Sequence, residues 1–417
     1  MIVAISVLPE GVRVLPNADT FMQVWLGIFW FVWAALCAPH LLLLAQKRII
    51  KSQVAFGTLG FGVLTSWLPA LFFEWSTVVS KPIRILINGF GRIGRTVMRQ
   101  FLTSPENADI EVVAINDIAP IETCAYLFKY DSVFGPYAGM VSNTADSLEI
   151  EGRCFPFFAH SDLRSIDLNG VDVVLECTGN ATTRSVALAG LDAGASIFLI
   201  SGPSEAADTT VVLGANENEI KNAKIVSNAS CTTNAIAPLL RALDLGFGVD
   251  TAHITTIHCY TGSQPTVDTP RANFERSRAA AVSMVPTTTS AADQVAKVLP
   301  HFKNRLSVTA VRVPTISVSA IDAVIQMSET PDEPMVDFLR TAFSNFSHIG
   351  LTEDACVSSD LRGRSESIII ALPETKVVGQ KQLRIFGWYD NEWAFSARMI
   401  EMTRRLAERD NKDEHHG

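Results

Sequence analysis

The 417-residue chain carries 34 Lys and Arg against 43 Asp and Glu, a formal charge of −9, and is 48% hydrophobic and 18% charged. That length accommodates two or three domains with proper cores, and the acidic balance excludes a protein whose partner is nucleic acid. Its seven cysteines show neither a CxxC pair nor Cys/His spacing of the zinc type, so a reduced compartment is expected, with no disulfide framework and no metal.

Composition divides the chain near Lys81. Residues 1–80 hold five of the seven tryptophans and only seven charged residues. Within them residues 24–45, VWLGIFWFVWAALCAPHLLLLA, form a 22-residue run without Lys, Arg, Asp or Glu, followed at once by QKRIIK. Such a run is long enough to cross a bilayer, with aromatics and cations at its end. A second apolar run, residues 54–73, is interrupted by three glycines and Pro69. A secretory signal is not expected, because the first run lies far from the N-terminus, is too long and lacks a small-residue cleavage site. Two readings stay open for this extension: a membrane anchor, or translated sequence upstream of a start at Val78 or Val79. In either case the body is expected in the cytoplasm; Lys47, Arg48 and Lys51 favour that side for a one-span anchor.

From Ile83 the pattern becomes that of a soluble enzyme. IRILINGFGRIGRTVMRQFL reads as a strand, a glycine turn and a helix, with Gly89, Gly91 and Gly94 in GxGxxG spacing around Arg92 and Ile93. Glycines there let the backbone approach a pyrophosphate at a helix N-terminus. A second strand, IEVVAIND, ends at Asp117, 23 residues after Gly94, where a carboxylate can accept both ribose hydroxyls of NAD and would repel a 2′-phosphate. NAD is therefore the expected cofactor, in preference to NADP. Two further strands, VDVVLECTG and ASIFLISGP, end at Thr178-Gly179 and Ser201-Gly202, small polar residues along the edge where a doubly wound parallel sheet binds its ligand.

The stretch SNASCTTN follows the strand AKIVS and opens a helix. A thiol there, Cys231, lies beside unpaired backbone N–H groups and the positive end of the helix dipole, which favour thiolate and can hold an oxyanion. The other six cysteines are read as structural. The strand AHITTIHCYTG then offers His258 as a partner for a thiolate–imidazolium pair; spacing alone leaves His253, on the same strand, as an alternative.

Over residues 82–408 an ordered series of motifs resembles the phosphorylating glyceraldehyde-3-phosphate dehydrogenases: INGFGRIGR, AIND, LFKYDSVFG, ECTG, SNASCTTN, TTIHCYTGSQPTVDTP, RAAAVSMVPTTTSAA, VRVPT and WYDNEW. The resemblance implies a Rossmann-type doubly wound NAD-binding domain over residues 81–229 and an α+β catalytic domain with a mostly antiparallel sheet over 230–390. Residues 391–417 then form a C-terminal helix returning to the NAD-binding domain. It makes Cys231 the nucleophile and His258 its activator, with a thiohemiacetal oxidised by NAD to a thioester that inorganic phosphate cleaves. It further implies Thr261 and Arg312 around the substrate phosphate. Ser230, Thr289 and Ser290 would line the inorganic phosphate site, with Arg278 nearby, and Thr232 would be a further substrate or phosphate ligand. Asn391 would bind the nicotinamide carboxamide, and the whole would be a homotetramer in which the loop 262–286 packs on a neighbour's cofactor site. ERSRAAA, PHFKNRL and VRVPTISVSAID lean toward the sister family, erythrose-4-phosphate dehydrogenase, whose members usually hydrolyse the thioester; Thr261 and Asp117 speak against that alternative. A catalytically silent membrane-bound relative is the remaining reading, disfavoured by the retained thiol, imidazole and phosphate ligands.

Overall fold

The apolar runs ending at Asn88, Glu176 and Ile200 lie side by side at the centre of a parallel sheet, as their near-continuous burial requires. The computed structural model describes residues 81–414; the expectations for residues 1–80 lie outside the described residues. Among the described residues no helix is long and apolar enough to cross a membrane.

The first sheet contains β1 (Ile83–Asn88), β2 (Ile110–Asn116), β3 (Val141–Asn143), β4 (Ser147–Ile150), β5 (Arg153–Phe158), β6 (Val173–Glu176), β7 (Ile197–Ile200), β8 (Thr209–Thr210) and β9 (Ile225–Ser227). Their order is β3-β4-β5-β2-β1-β6-β7-β9-β8. Pairing is parallel from β5 to β8 and antiparallel only through β3, β4 and β5 at one edge. Helices α1 (Arg92–Thr103) and α2 (Ile121–Lys129) share one core with this sheet, Val97, Met98 and Phe128 meeting Ile85, Ile87 and Leu175. The opposite face packs on α3 (Arg184–Asp192) through Ala187 and Phe198.

Helix α4 (Cys231–Phe247) leaves the last central strand and is buried along most of its length. The second sheet follows: β10 (Val249–Cys259), β11 (Val285–Thr287), β12 (Leu306–Val313), β13 (Ser319–Met327), β14 (Ile349–Thr352), β15 (Ile368–Ala371), β16 (Lys376–Val378) and β17 (Gln382–Tyr389). It runs β11-β12-β10-β13-β17-β15-β14 with β16 on β17, and all pairs are antiparallel except β10 with β12 and β14 with β15. One face of it packs on α4, α5 (Ala291–Val298) and α6 (Met335–Phe343), with Leu239, Leu243, Val295 and Leu339 against Ile254, Ile321 and Ile325. The final helix, α7 (Trp393–Glu414), places Phe395, Met399, Met402 and Leu406 in the same core as α1. Cys231 touches both large cores, so the thiol lies where the two sheets' layers meet.

Candidate active site

The turn after β1 is shaped by what its glycines exclude. Gly89 has φ +93°, and a Cβ on Gly94 would stand 2.1 Å from the Gly89 carbonyl oxygen, so both positions demand glycine. Gly91 differs: a Cβ there meets nothing within 4 Å, leaving open space at the start of α1, whose N-cap has no side-chain hydrogen bond. An uncapped helix N-terminus facing open space is a site for an anion. The adjoining crevice, about 540 Å³, is lined by Asn88, Gly89, Gly91, Asp117, Glu176 and Thr178 among others. Asp117 accepts the backbone N–H groups of Phe90 (2.6 Å) and Ala119 (2.8 Å), which pins its carboxylate at the end of β2. These residues fit a dinucleotide, with pyrophosphate at Gly91 and a ribose at Asp117.

Along the crevice wall runs a chain of polar side chains whose bonding the sequence did not reveal. Asn116 donates to Asn88 Oδ1 at 2.7 Å, Asn88 donates to Glu176, and Glu176 accepts the Thr178 N–H at 2.8 Å. Burial raises the Glu176 carboxyl above its usual range, against the lowering effect of these bonds. Ser201 donates its N–H to the Glu176 carbonyl at 2.9 Å. Ile93 packs against the domain core. The Arg92 guanidinium holds Glu392 (2.9 and 2.5 Å) and Asp131, so its backbone N–H in the first turn of α1 is what it offers a ligand.

Cys231 is the first residue of α4, capped by Ser230, whose Oγ accepts the Thr233 N–H at 3.1 Å. Ala229, fully buried, has φ +53°, a left-handed conformation costly for a non-glycine residue and placed two residues before the thiol. Cys231 Sγ lies 3.6 Å from His258 Nε2. His258 is buried near the end of β10 with the Tyr389 ring edge-on at 6.0 Å, and the Tyr389 hydroxyl is held by Thr232 (3.0 Å) and Thr256 (2.8 Å). His253 is exposed on the other face of the same strand.

Arg312, paired with His258 in the β10–β12 register, brings Nη1 to 2.7 Å from His258 Nδ1 and 2.8 Å from the Cys259 carbonyl oxygen. Nδ1 also lies 2.7 Å from the Cys259 carbonyl oxygen, so it either accepts from Arg312 with the imidazole proton on Nε2, or donates to that carbonyl and leaves Nε2 as an acceptor facing the thiol. Burial, then the neighbouring guanidinium, hold His258 down at about 4; burial pushes the Cys231 thiol up, with Arg312 opposing.

The phosphate-ligand expectations divide. Thr261 Oγ1 pairs with Ser263 Oγ at 2.9 Å, and Thr289 Oγ1 accepts the Ala291 N–H at 3.2 Å beside Ser290, the N-cap of α5. Arg278 is turned to Asp268 (2.9 Å) in an exposed pair. The neighbouring Arg276, which the sequence reading passed over, instead reaches the Thr287 hydroxyl (2.6 Å) and the Thr288 carbonyl (3.1 Å), next to Thr289.

Two family models match the body of the chain. One described as "Glyceraldehyde 3-phosphate dehydrogenase, NAD binding domain" matches residues 83–184, and one described as "Glyceraldehyde 3-phosphate dehydrogenase, C-terminal domain" matches residues 230–391. A glyceraldehyde-3-phosphate dehydrogenase from Xanthobacter flavus is 43% identical over 326 residues, 76% of this chain and 97% of the relative. The chain belongs to the glyceraldehyde 3-phosphate dehydrogenase family. Relatives of the same name from Cereibacter sphaeroides (41% identical, 76% of this chain, 97% of the relative) and Geobacillus stearothermophilus (39% identical, 78% and 98%) match over a similar extent. The family's NAD-binding domain makes NAD the cofactor. A separate model, "AmiS/UreI family transporter", matches residues 1–74 and ends before β1.

Proposed function

We propose that this protein oxidises glyceraldehyde 3-phosphate to 1,3-bisphosphoglycerate with NAD and inorganic phosphate, through a thioester on Cys231. The observation that carries the proposal is the 3.6 Å approach of Cys231 Sγ to His258 Nε2 at the N-terminus of α4. The Cys231 thiolate attacks the aldehyde carbon; the S–C bond forms as the carbonyl π pair moves to oxygen. The Cys231 backbone N–H and His258 Nε2–H hold that oxygen. NAD bound in the crevice supplies the hydride acceptor. The oxygen takes the proton from His258 Nε2 to become the thiohemiacetal hydroxyl, His258 takes that proton back as the C–H pair leaves as hydride, and a thioester remains on sulfur. Inorganic phosphate then attacks the thioester carbon, the C–S bond breaks, and the thiolate departs.

Arg312 links binding to this chemistry. A substrate phosphate competes for its guanidinium, and once Arg312 turns away the favoured neutral tautomer, reached by proton loss at Nε2 and gain at Nδ1 through solvent, is the one that donates from Nδ1 to the Cys259 carbonyl oxygen 2.7 Å off. Nε2 is then free to take the thiol proton, so the nucleophile is activated where substrate is present. Thr261 assists at the substrate phosphate. Ser230, Thr289 and Ser290 serve inorganic phosphate, with Thr232 beside them, and Arg276, bonded to Thr287 and Thr288, is the cation on that segment. Asn391 orients the nicotinamide. The relatives' shared name favours glyceraldehyde 3-phosphate over erythrose 4-phosphate. Following NADH with each aldehyde phosphate, with and without inorganic phosphate, tests the proposal: faster turnover with erythrose 4-phosphate that ignores phosphate would overturn it.

The tetramer is part of the proposal. Val267, Phe274, Val282 and Met284 on the loop 262–286 are 69–89% exposed, apolar surface that a second subunit would cover. Sedimentation of an active monomer would refute it. Membrane contact through residues 24–45 is favoured by their uncharged 22-residue run and by the transporter model matched to residues 1–74. Full-length protein recovered wholly outside the membrane pellet would reject that contact.

A further inference from the structure

We infer that Cys259, read from the sequence as structural, is a positioning residue for the cofactor: with Ser319 it holds the Asn391 carboxamide in one orientation, oxygen inward. The inference rests on Asn391 being the nicotinamide ligand.

Cys259 ends β10 and is 1% exposed, with Sγ 3.1 Å from Asn391 Oδ1. Ser319, at the start of β13, places its Oγ 3.4 Å from the same Oδ1 while accepting the Cys259 N–H at 3.1 Å. That hydroxyl accepts the Cys259 N–H on one lone pair and keeps its own proton to donate to Asn391 Oδ1. Burial pushes the Cys259 thiol up to about 12, so it remains an S–H donor over the working range of pH. Two donors converging on one end of a carboxamide identify that end as the oxygen. The Nδ2 end is thereby left for a ligand.

The surroundings fix the rest of the residue. Asp390 accepts the N–H groups of Glu392 (3.0 Å), Trp393 (2.8 Å) and Gly363 (2.8 Å), and Arg92 clasps the Glu392 carboxylate. Val318, buried immediately before Ser319, has φ +65°, a conformation a β-branched residue adopts only where its surroundings impose it. With the backbone held on both sides, the remaining freedom of Asn391 is a half-turn of its amide. Oxygen inward, it presents N–H to the carbonyl oxygen of a nicotinamide carboxamide; inverted, it presents oxygen and loses that match. Removing the Cys259 donor leaves only the longer Ser319 contact against inversion.

The test is steady-state kinetics on the full-length protein and on Cys259→Ala, Cys259→Ser, Asn391→Ala and the Cys259→Ala/Asn391→Ala double variant. Cys259→Ala is expected to raise the KM for NAD about three- to tenfold, the scale of one hydrogen bond, and the KM for glyceraldehyde 3-phosphate less than about twofold. Cys259→Ser restores the donor and the wild-type KM. In the Asn391→Ala background, Cys259→Ala adds nothing, since its effect runs through that amide. Cofactor-free alkylation of Cys231 by iodoacetamide keeps its wild-type rate in Cys259→Ala. An unchanged KM for NAD in Cys259→Ala, failure of serine to rescue, additive effects, or a changed alkylation rate overturns the inference while leaving the role of Asn391 standing. An Asn391→Ala variant with unaltered KM for NAD removes that role, and the inference with it.

Discussion

His258 and Arg312 lie side by side on parallel strands, with the arginine Nη1 2.7 Å from the imidazole Nδ1. A cation at that distance, added to burial, keeps the imidazole neutral in the folded protein down to about pH 4. The folded value lies below the unfolded one near 6.5, so between these values the unfolded chain binds the extra proton. Stability from this group is therefore present above the unfolded value and falls as pH drops toward 4. Denaturant titrations across this window should show a loss on the order of 3 kcal/mol that is missing in His258→Asn. Parallel pH curves for the two proteins would remove the electrostatic coupling.

The glycines of the first turn separate folding from binding. Gly94→Ala forces a Cβ to 2.1 Å from the Gly89 oxygen and should destabilise the protein by about 2 kcal/mol or more. Gly91→Ala meets no protein atom within 4 Å, so its melting temperature should be near wild type while its KM for NAD rises at least about tenfold. Thermal denaturation and NAD titration distinguish the two. Equal effects on both quantities would contradict the assignment of the open space to pyrophosphate.

Arg276 and Arg278 should differ sharply although only Ser277 separates them. Arg276→Ala removes a cation from beside Thr287 and Thr288 and should raise the KM for inorganic phosphate or for the aldehyde about tenfold. Arg278→Ala breaks only an exposed pair with Asp268 and should change either constant less than about twofold. The reverse ranking in phosphate and aldehyde titrations would favour Arg278 as the phosphate-site cation.

The contrast between these arginines shows where sequence reasoning runs out. The dinucleotide turn was legible because its constraints are local: Gly89 and Gly94 are forced by atoms a few residues away, and the strands beside them are unbroken apolar runs. The thiol was legible because a strand, a turn and a helix follow one another directly. Choosing His258 over His253 needed knowledge of which face of β10 is buried: five residues apart on a strand, the two point to opposite sides. Arg276 lies in an irregular loop with no period to orient it. The edge strands β3, β4 and β5 are short and mix polar with apolar residues, so they left no clear signal. Cys259 meets Asn391 across 132 positions, a contact that only the assembled sheet creates.

The central claim is that Cys231 carries the acyl group and that inorganic phosphate releases it. Quenching the protein in acid after mixing with NAD and glyceraldehyde 3-phosphate, then measuring peptide masses, tests this directly. Without phosphate, an acyl adduct should appear on the Cys231 peptide, about one per NADH formed, and it should vanish when phosphate is added before the quench. NADH formation with no adduct on Cys231, or an adduct whose lifetime is indifferent to phosphate, would contradict the account.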